Sequence, residues 1–153
     1  MANHTAEEVA KWFLAHNKYV LDTEDADLIS NLKLQKLLYY AQGTFLAVTD
    51  EPLFDEPIIA WMHGPVVESI YHKYKEFGSN GIIFVESFDF EAFNKQEEAL
   101  LEEVYEEFGQ YSAWKLRNMT HEEDPWKKTA QCEEIDRDLI KNYFKQVYME
   151  NDS

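Results

Sequence analysis

The spacing of apolar residues predicts a chain built mainly from helices. Thr5 and Glu8 form a capping-box pair, and the apolar residues that follow recur every three or four positions, as on one helical face. Five further segments share this spacing: 31–48, 65–77, 95–108, 113–120 and 136–149. We therefore predict about six helices, the first two of which are separated by an acidic loop at 22–27.

The predicted helix at 31–48 differs from the others because it is apolar on more than one face. One row of its residues comprises Leu34, Leu37, Leu38, Ala41 and Phe45. The neighbouring row comprises Leu32, Gln35, Tyr39, Gln42 and Leu46. A helix that is apolar nearly all round is usually enclosed by other elements. We expect a mainly α fold, a compact bundle of about six helices around this central apolar helix.

Two segments are expected to be non-helical. Residues 52–62 contain prolines and a short apolar run, which indicates an extended conformation. The segment 81–90 shows alternation and β-branched residues, which predicts a small β-hairpin or strand. His63 is followed by Gly64 and Pro65, and proline is favoured in the first turn of a helix. We therefore interpret this His-Gly-Pro corner as the start of the third helix.

Length and composition fit a single domain over residues 1–153. The chain is 45% hydrophobic and 15% aromatic, which can supply a large core. Its one cysteine, Cys132, excludes an internal disulfide and is typical of a reducing compartment. The N-terminus lacks the basic and apolar regions of a signal peptide, and no apolar run is long enough to cross a bilayer. We expect a cytoplasmic protein that does not bind membranes.

Charge is the strongest global feature, because 30 acidic and 14 basic residues give a formal charge of −16. Such a field repels nucleic-acid phosphates, so we expect no direct nucleic-acid binding. It would speed encounter with a basic protein, although the same charge could serve solubility alone. The predicted helix at 95–108 carries glutamates on one face. That face is either solvated or a docking surface for a basic partner.

No motif in the chain predicts catalysis or a cofactor. His121 opens the sequence HEEDP, which resembles the start of a zinc-protease helix. Pro125 stands where the second histidine is required, and it would break that helix. Cys132 lies among acidic residues, which oppose thiolate formation. With no glycine-rich phosphate loop or nucleophile elbow, we predict no metal, no cofactor and no catalytic residue.

Three polar residues leave structural and functional interpretations open. His63 could hold an anion at the start of a helix, or its ring could bond a backbone carbonyl and fix the corner, which we favour. Lys33 and Lys36 occupy the first turns of their helix, where cations oppose the macrodipole. They either form internal ion pairs or mark a functional site.

Three blocks, taken in order, resemble the Panacea domain family, which includes SocA-like antitoxins and phage-associated GepA-type proteins. They are KLQKLLYYAQGTFLA at 33–47, PLFDEPIIAWMHGPVVESIYHKYKEFG at 52–78 and AWKLRNMTHEEDPWKKT at 113–129. The closing IDRDLIKNYF at 135–144 fits the last helix of the family. The resemblance spans nearly the whole chain, and its specificity lies in the order and spacing of the blocks.

The resemblance implies a mostly helical, non-enzymatic antitoxin of a type II toxin–antitoxin pair. Such proteins neutralise a cognate protein toxin by direct contact, and they are frequent on prophages and mobile elements. We expect the toxin to be basic or to carry a basic patch, and the chain could also form a homo-oligomer. Some relatives add a DNA-binding segment. Because this chain begins almost at the first Panacea helix, we expect no such segment and no transcriptional autoregulation.

Positions that match the family pattern supply the candidate site residues. We assign these to toxin contact: Lys33, Lys36, Tyr39, Tyr40, His63, Trp114, His121 and Trp126. We assign a structural role to Gln35, Trp61, Gly64, Pro65, Thr120 and Pro125. Two other functions remain as alternatives. One is an enzyme of unknown class with a polar pocket around Lys33, Lys36, His63 and His121, and the other is an adaptor that delivers proteins to phage or host machinery.

Overall fold

The computed structural model describes residues 2–23 and 27–149, with the backbone alone at 22 and 23. In this part of the chain there are seven α-helices: α1 (Ala6–Thr23), α2 (Asn31–Thr49), α3 (Glu68–Tyr74), α4 (Lys95–Phe108), α5 (Ala113–His121), α6 (Asp124–Lys127) and α7 (Arg137–Phe144). Two strands, β1 (Ile59–Trp61) and β2 (Gly64–Val66), form an antiparallel hairpin. The predicted mainly α fold class is confirmed. The predicted acidic loop at 22–27 lies largely outside the described residues. No helix of the described ranges has both the length and the apolar character needed to cross a membrane.

Helix α2 is the centre of the fold, as its sequence predicts. Every residue from Leu34 to Ala47 is buried, and α1, α3, α4, α5, α7 and the hairpin all pack against it. The helix begins after Ser30, whose hydroxyl oxygen accepts a backbone N–H bond at 3.2 Å. It ends at Asp50, which has the left-handed φ of 62°. The two apolar rows provide the surface that neighbours on several sides require.

Several helices begin at the capping residues that the sequence indicates. Glu8 N donates to Thr5 Oγ1 at 3.1 Å and Thr5 N donates to Glu8 Oε1 at 3.2 Å, which completes a capping box at α1. Asn94 and Glu97 exchange the same two bonds at α4, both at 2.8 Å. Ser112 caps α5 through its hydroxyl oxygen. These bonds span three residues, so the local sequence is sufficient to predict them.

The corner at 63–65 belongs to the β-hairpin, so the prediction that it starts a helix is wrong. Strand pairing sets Trp61 opposite Gly64, and α3 begins only at Glu68. In a helix the proline carbonyl would accept an N–H bond from a residue further along the chain. Here it accepts a hydrogen bond from Lys36 of α2 instead. A contact between distant parts of the sequence therefore determines the conformation of this corner.

Strand β1 has a second neighbour, the segment that connects α6 to α7. Ala60 N donates to Glu133 O at 2.9 Å, and Cys132 N donates to Ala60 O at 2.7 Å. Further along, Ile135 N donates to Ile58 O at 2.8 Å. These bonds fix the C-terminal connection onto the hairpin, with Cys132 in the left-handed region at φ 71°.

The segment 81–90 is extended at first but does not form the predicted hairpin. Buried Ile82 and Phe84 alternate with exposed Ile83 and Val85, so the alternation in the sequence reflects burial on one side. In the part of the chain that the structure describes, this segment makes only an isolated bridge, to the residue before α2. Alternation requires one buried face but does not supply a partner strand, and this is why the β element was predicted in the wrong place.

The C-terminal part contains two further helical pieces. Helix α6 is a single turn that begins with Asp124 and Pro125. Helix α7 continues into a π-helical turn, Lys145–Met149. The helix predicted at 136–149 is therefore present, as an α-helix followed by a π-helical turn.

Candidate functional site

Several of the candidate site residues meet where α2, the hairpin and α5 pack together. Lys36 has no exposed surface, and its Nζ donates a hydrogen bond to the Pro65 carbonyl oxygen at 3.0 Å. Gly64 has a φ of +109°, and a Cβ atom there would lie 2.7 Å from Lys36 Cε and 2.9 Å from Thr120 Oγ1. Both the backbone angle and the close approach require glycine. Beside it, Gln35 Oε1 accepts the Val67 backbone N–H at 2.8 Å and ties the hairpin to α2.

The Lys36 amine is a buried base with no compensating acid among the described residues. Burial, and to a lesser extent the nearby Arg117 guanidinium, lower its pKa to about 7. Its described hydrogen bond goes to a neutral carbonyl, and no carboxylate of the described residues contributes to its pKa. The internal ion pair that an acidic chain could provide is therefore not formed by the described residues.

Lys33 contacts a different element from Lys36, although both are on α2. Its Nζ donates to the Gly109 carbonyl oxygen at 2.6 Å, where α4 ends. A cation at the C-terminal end of a helix complements the macrodipole of that helix. Burial lowers the pKa of Lys33, which the Asp27 carboxylate partly opposes. The unfavourable position of Lys33 at the start of α2 is thus offset by its favourable position at the end of α4.

Trp61, His121 and Trp126 form an aromatic corner next to Lys36. Trp126 Nε1 donates to the Trp61 carbonyl oxygen at 2.7 Å. The His121 ring stacks on Trp126, with 3.9 Å between ring centres and an angle of 9° between the planes. Burial lowers the pKa of His121, so its ring is mostly neutral near pH 7, and its buried Nε2 has no hydrogen-bond partner among the described residues. These contacts hold the start of α6 against the hairpin.

Four residues on the outer side of this corner form what we call the basic-aromatic patch: Met62, His63, Trp114 and Arg117. Arg117 Nε donates to His63 Nδ1 at 3.1 Å, and the guanidinium carbon lies 4.4 Å from the centre of the Trp114 ring. Met62 is 60% exposed and Trp114 is 56% exposed. Neither interpretation of His63 from the sequence is correct. It does not hold an anion at a helix start, because α3 begins only at Glu68. Its described hydrogen bond goes to the Arg117 side chain and not to a backbone carbonyl.

A cavity of about 490 Å³ opens beside the patch, within the size range of sites that bind small ligands or side chains. Met62 and His63 line the cavity as well as belonging to the patch, and Lys36 and Tyr71 are also in its wall. Cys132 lines it too, and its side chain is exposed. Within the ranges 2–23 and 27–149, no group of three or more histidine, cysteine or acidic side chains could hold a metal ion.

Glu123 is a buried carboxylate with three hydrogen-bond donors, and it was not among the residues that the sequence indicated. Tyr39 donates to it at 2.9 Å, Tyr40 at 3.0 Å and Tyr148 at 2.6 Å, each through its hydroxyl. Burial raises the pKa of Glu123, and the three tyrosine hydrogen bonds oppose that rise. Two adjacent tyrosines on a helix that is apolar all round were the available signal, because buried hydroxyls need an acceptor.

The structure therefore divides the candidate toxin-contact residues into two groups. Those on the surface side are His63 and Trp114, with His121 and Trp126 partly buried behind them. Lys33 is partly buried as well, away from this corner at the end of α4. Lys36, Tyr39 and Tyr40 have no exposed surface, so a partner could not touch them unless α2 moved. Their contacts are internal.

Comparison with known proteins gives two matches. The family model described as "Antitoxin SocA-like, Panacea domain" matches residues 34–127. The protein named Antitoxin SocA from Caulobacter vibrioides is 46% identical over 55 residues, which cover 36% of this chain and 29% of that relative. The match thus spans less than a third of the relative's own length. No solved structure matches the chain.

Proposed function

The chain belongs to the SocA-like antitoxin family defined by the Panacea domain, and on this basis we propose that it is the antitoxin of a type II toxin–antitoxin pair. It neutralises a protein toxin by direct contact and without catalysis. The observation that carries the proposal is the family match over residues 34–127, which takes in nearly all of α2, the hairpin, α5 and the basic-aromatic patch.

The geometry of the site supports a binding role. Tryptophan, arginine and methionine are enriched in protein interfaces, and the patch presents Trp114, Arg117 and Met62 at the surface. The polar groups behind the patch are engaged in contacts that hold the corner together, as in the bond from Lys36 to Pro65. The site therefore resembles a rigid surface with a supporting layer more than it resembles a set of reacting groups.

The charge of the chain supports a basic partner. At −16, the chain attracts a basic toxin over distances of about a Debye length, roughly 8 Å in physiological salt. The proposed setting is the cytoplasm, which the one cysteine of the sequence supports because free thiols are typical of a reducing compartment. Carriage on a prophage or another mobile element completes the proposal.

The reading frame next to this gene provides the test. Its product is expressed alone and together with this chain while growth is followed, and the two proteins are then purified together. We expect growth arrest by the product alone, recovery when both are expressed, and a stable complex. Failure of the folded chain to restore growth at equal amounts, or recovery without a complex, would contradict the proposal.

Two surface variants separate binding from folding in this assay. Trp114→Ala removes the aromatic side chain of the patch, and we expect it to weaken the complex and the recovery of growth. Val85→Ser changes a side chain that is 79% exposed in the segment 81–90, outside the patch, and we expect it to leave both intact. Equal effects of the two variants would count against the patch as the contact surface.

A second candidate is an enzyme that modifies the toxin, which one observation favours. Lys36, whose amine has a pKa of about 7, is one of the residues that line the cavity, and such perturbed bases are frequent in active sites. Because this side chain has no exposed surface, its amine would reach a substrate only if α2 moved. A binding protein neutralises at about one molecule per toxin molecule, whereas an enzyme acts at much lower ratios. Titration of toxin activity with purified wild type and Lys36→Met distinguishes the two, since only an enzyme would neutralise below equal amounts and lose that ability in the variant.

A further inference from the structure

Arg117 is a basic side chain without an acidic partner in a strongly acidic chain. Six other lysine or arginine side chains of the described ranges form ion pairs with carboxylates. Arg117 instead bonds two neutral atoms, His63 Nδ1 at 3.1 Å and Asn118 Oδ1 at 3.0 Å. A guanidinium is a planar fork of donors that suits a carboxylate. None of the carboxylates among the described residues occupies that position, although the sequence holds 30 acidic residues.

The titratable groups around Arg117 are also basic. Burial is the main cause of the lowered pKa of the Lys36 amine and of His121, and Arg117 lowers each pKa further. The contribution of Arg117 is a repulsion between like charges, and no carboxylate contributes to either pKa. The Arg117 guanidinium is therefore a local cation on a chain whose net charge is −16. A carboxylate that binds there would offset this local repulsion.

The guanidinium is already held in position for a ligand. It stacks on Trp114 at 4.4 Å, and its Nε bonds His63. Because the Arg117 Nε–H can only donate, His63 Nδ1 is the acceptor of this bond. Nη2 of Arg117 takes part in none of the described hydrogen bonds, so donors remain for a ligand. A side chain that is ordered beforehand loses less conformational entropy on binding.

An apolar site adjoins this cation. Met62 and Trp114 are large apolar side chains that are both more than half exposed. Met62 precedes His63 in the chain, and the centre of the Trp114 ring lies 6.2 Å from that of the His63 ring. The cavity of about 490 Å³ begins at Met62 and His63, with Trp61 and Tyr71 in its wall, and it has room for a large side chain. The cation and the apolar cavity share His63, so one short segment could reach both.

We infer that the patch and the cavity receive a segment of the toxin in which an aspartate or glutamate adjoins a large apolar side chain. The carboxylate pairs with Arg117, and the apolar side chain enters the cavity past Met62. This inference rests on the proposed function, since it specifies which chemistry of the toxin is recognised. It is compatible with a basic toxin, because the net charge acts at long range and the patch acts at contact distance.

Charge reversal at Arg117 tests the inference in the complex with the toxin. Lys115 is an exposed lysine two residues earlier on α5, so Lys115→Glu is a matched control with the same change of charge. We expect Arg117→Glu to raise the Kd by about 30-fold or more, and Arg117→Gln to raise it by about 10-fold or more. We expect Lys115→Glu to change it by less than about 3-fold. Arg117 variants that bind as tightly as the Lys115 control would overturn the inference while leaving toxin neutralisation established.

A second measurement does not need the toxin, so it can fail independently of the proposed function. The probes are the blocked dipeptides acetyl-Phe-Asp-amide and acetyl-Phe-Asn-amide, which differ only in the carboxylate. Binding is followed by NMR of the indole N–H groups, with Trp114 and Trp61 assigned by substitution. We expect the aspartyl probe to shift both signals with weak affinity, the asparaginyl probe to bind at least about 5-fold more weakly, and Arg117→Gln to remove the difference. Equal binding of the two probes would overturn the inference.

A second copy of this acidic chain is the competing occupant of the patch. Sedimentation velocity of the chain alone measures this directly. We expect a monomer at concentrations up to about 100 μM, in which the patch is free. A dimer that Arg117→Glu dissociates and Lys115→Glu does not would show that the patch binds another copy of the chain, and this would overturn the assignment to a toxin.

Discussion

Lys36 Nζ donates a hydrogen bond to the Pro65 carbonyl oxygen, 3.0 Å away, from a side chain with no exposed surface. Helix α2 and the hairpin are thus joined by a polar contact inside an apolar core. A buried amine with a neutral acceptor is costly to protonate, because its side chain is out of contact with solvent and none of the described carboxylates compensates the charge. The free energy of unfolding should therefore respond to pH through this one group.

Between about pH 7 and about pH 9, the wild-type protein should gain stability relative to Lys36→Met. Burial lowers the Lys36 pKa from 10.5 to about 7, so in this range the unfolded chain binds a proton that the folded chain does not. The free energy of unfolding therefore rises with pH, by at most about 1.4 kcal/mol per pH unit. Urea unfolding of both proteins at several pH values measures the difference between them. A difference that stays constant with pH would show that Lys36 has an ordinary pKa.

Gly64→Ala should destabilise the protein by about 3 kcal/mol or more. The substitution combines an unfavourable φ of +109° with a Cβ placed 2.7 Å from Lys36 Cε. Gly78→Ala is the matched control, because Gly78 also has a positive φ, +58°, but no atom lies within 4 Å of its Cβ position. We expect the control to cost about 1 to 2 kcal/mol in urea unfolding. Equal costs at the two positions would mean that close packing at Gly64 contributes nothing.

Glu123→Gln should lower the free energy of unfolding by about 2 to 4 kcal/mol near neutral pH. The three tyrosine hydroxyls of Tyr39, Tyr40 and Tyr148 donate to the carboxylate, and an amide nitrogen in place of one oxygen cannot accept their bonds. Glu122→Gln alters the exposed neighbour, and we expect it to change stability by less than about 0.5 kcal/mol. Thermal and urea unfolding measure the loss of stability in both variants. Equal losses in Glu123→Gln and Glu122→Gln would show that the tyrosine hydrogen bonds contribute little.

Association with the toxin should slow markedly as salt is added. The net charge of −16 attracts a basic partner at long range, and salt screens that attraction. Between about 50 mM and about 500 mM NaCl, we expect the association rate constant to fall at least about 10-fold, with a smaller change in the dissociation rate constant. Stopped-flow fluorescence separates the two rates. An association rate that is indifferent to salt would remove the role of net charge in partner capture.

Features that depend on local sequence were predicted well. The capping pair Thr5 and Glu8 acts over three residues, so its sequence pattern is sufficient. The enclosed position of α2 follows from its apolar rows, because only burial on several sides explains them. The resemblance to the Panacea family supplied the aromatic and polar candidates around the hairpin, and their contact with a toxin stays a prediction.

Features that depend on contacts between distant segments were not predicted. The corner at 63–65 resembles a helix start locally, but Lys36, 29 residues before Pro65, holds it in the hairpin. Glu123 receives its hydroxyl bond from Tyr39 across 84 residues of sequence, and a lone glutamate in an acidic chain carries no signal of that. Lys33 looked misplaced on its own helix because its partner, the end of α4, is brought near only by folding.

The exposed thiol of Cys132 offers a practical route into this biology. It is the one cysteine of the sequence, and it lies in the wall of the cavity beside the basic-aromatic patch. A maleimide dye would therefore attach at a single known point without any engineering. The emission wavelength and intensity of that dye would report, in real time and in crude mixtures, when a ligand occupies the cavity.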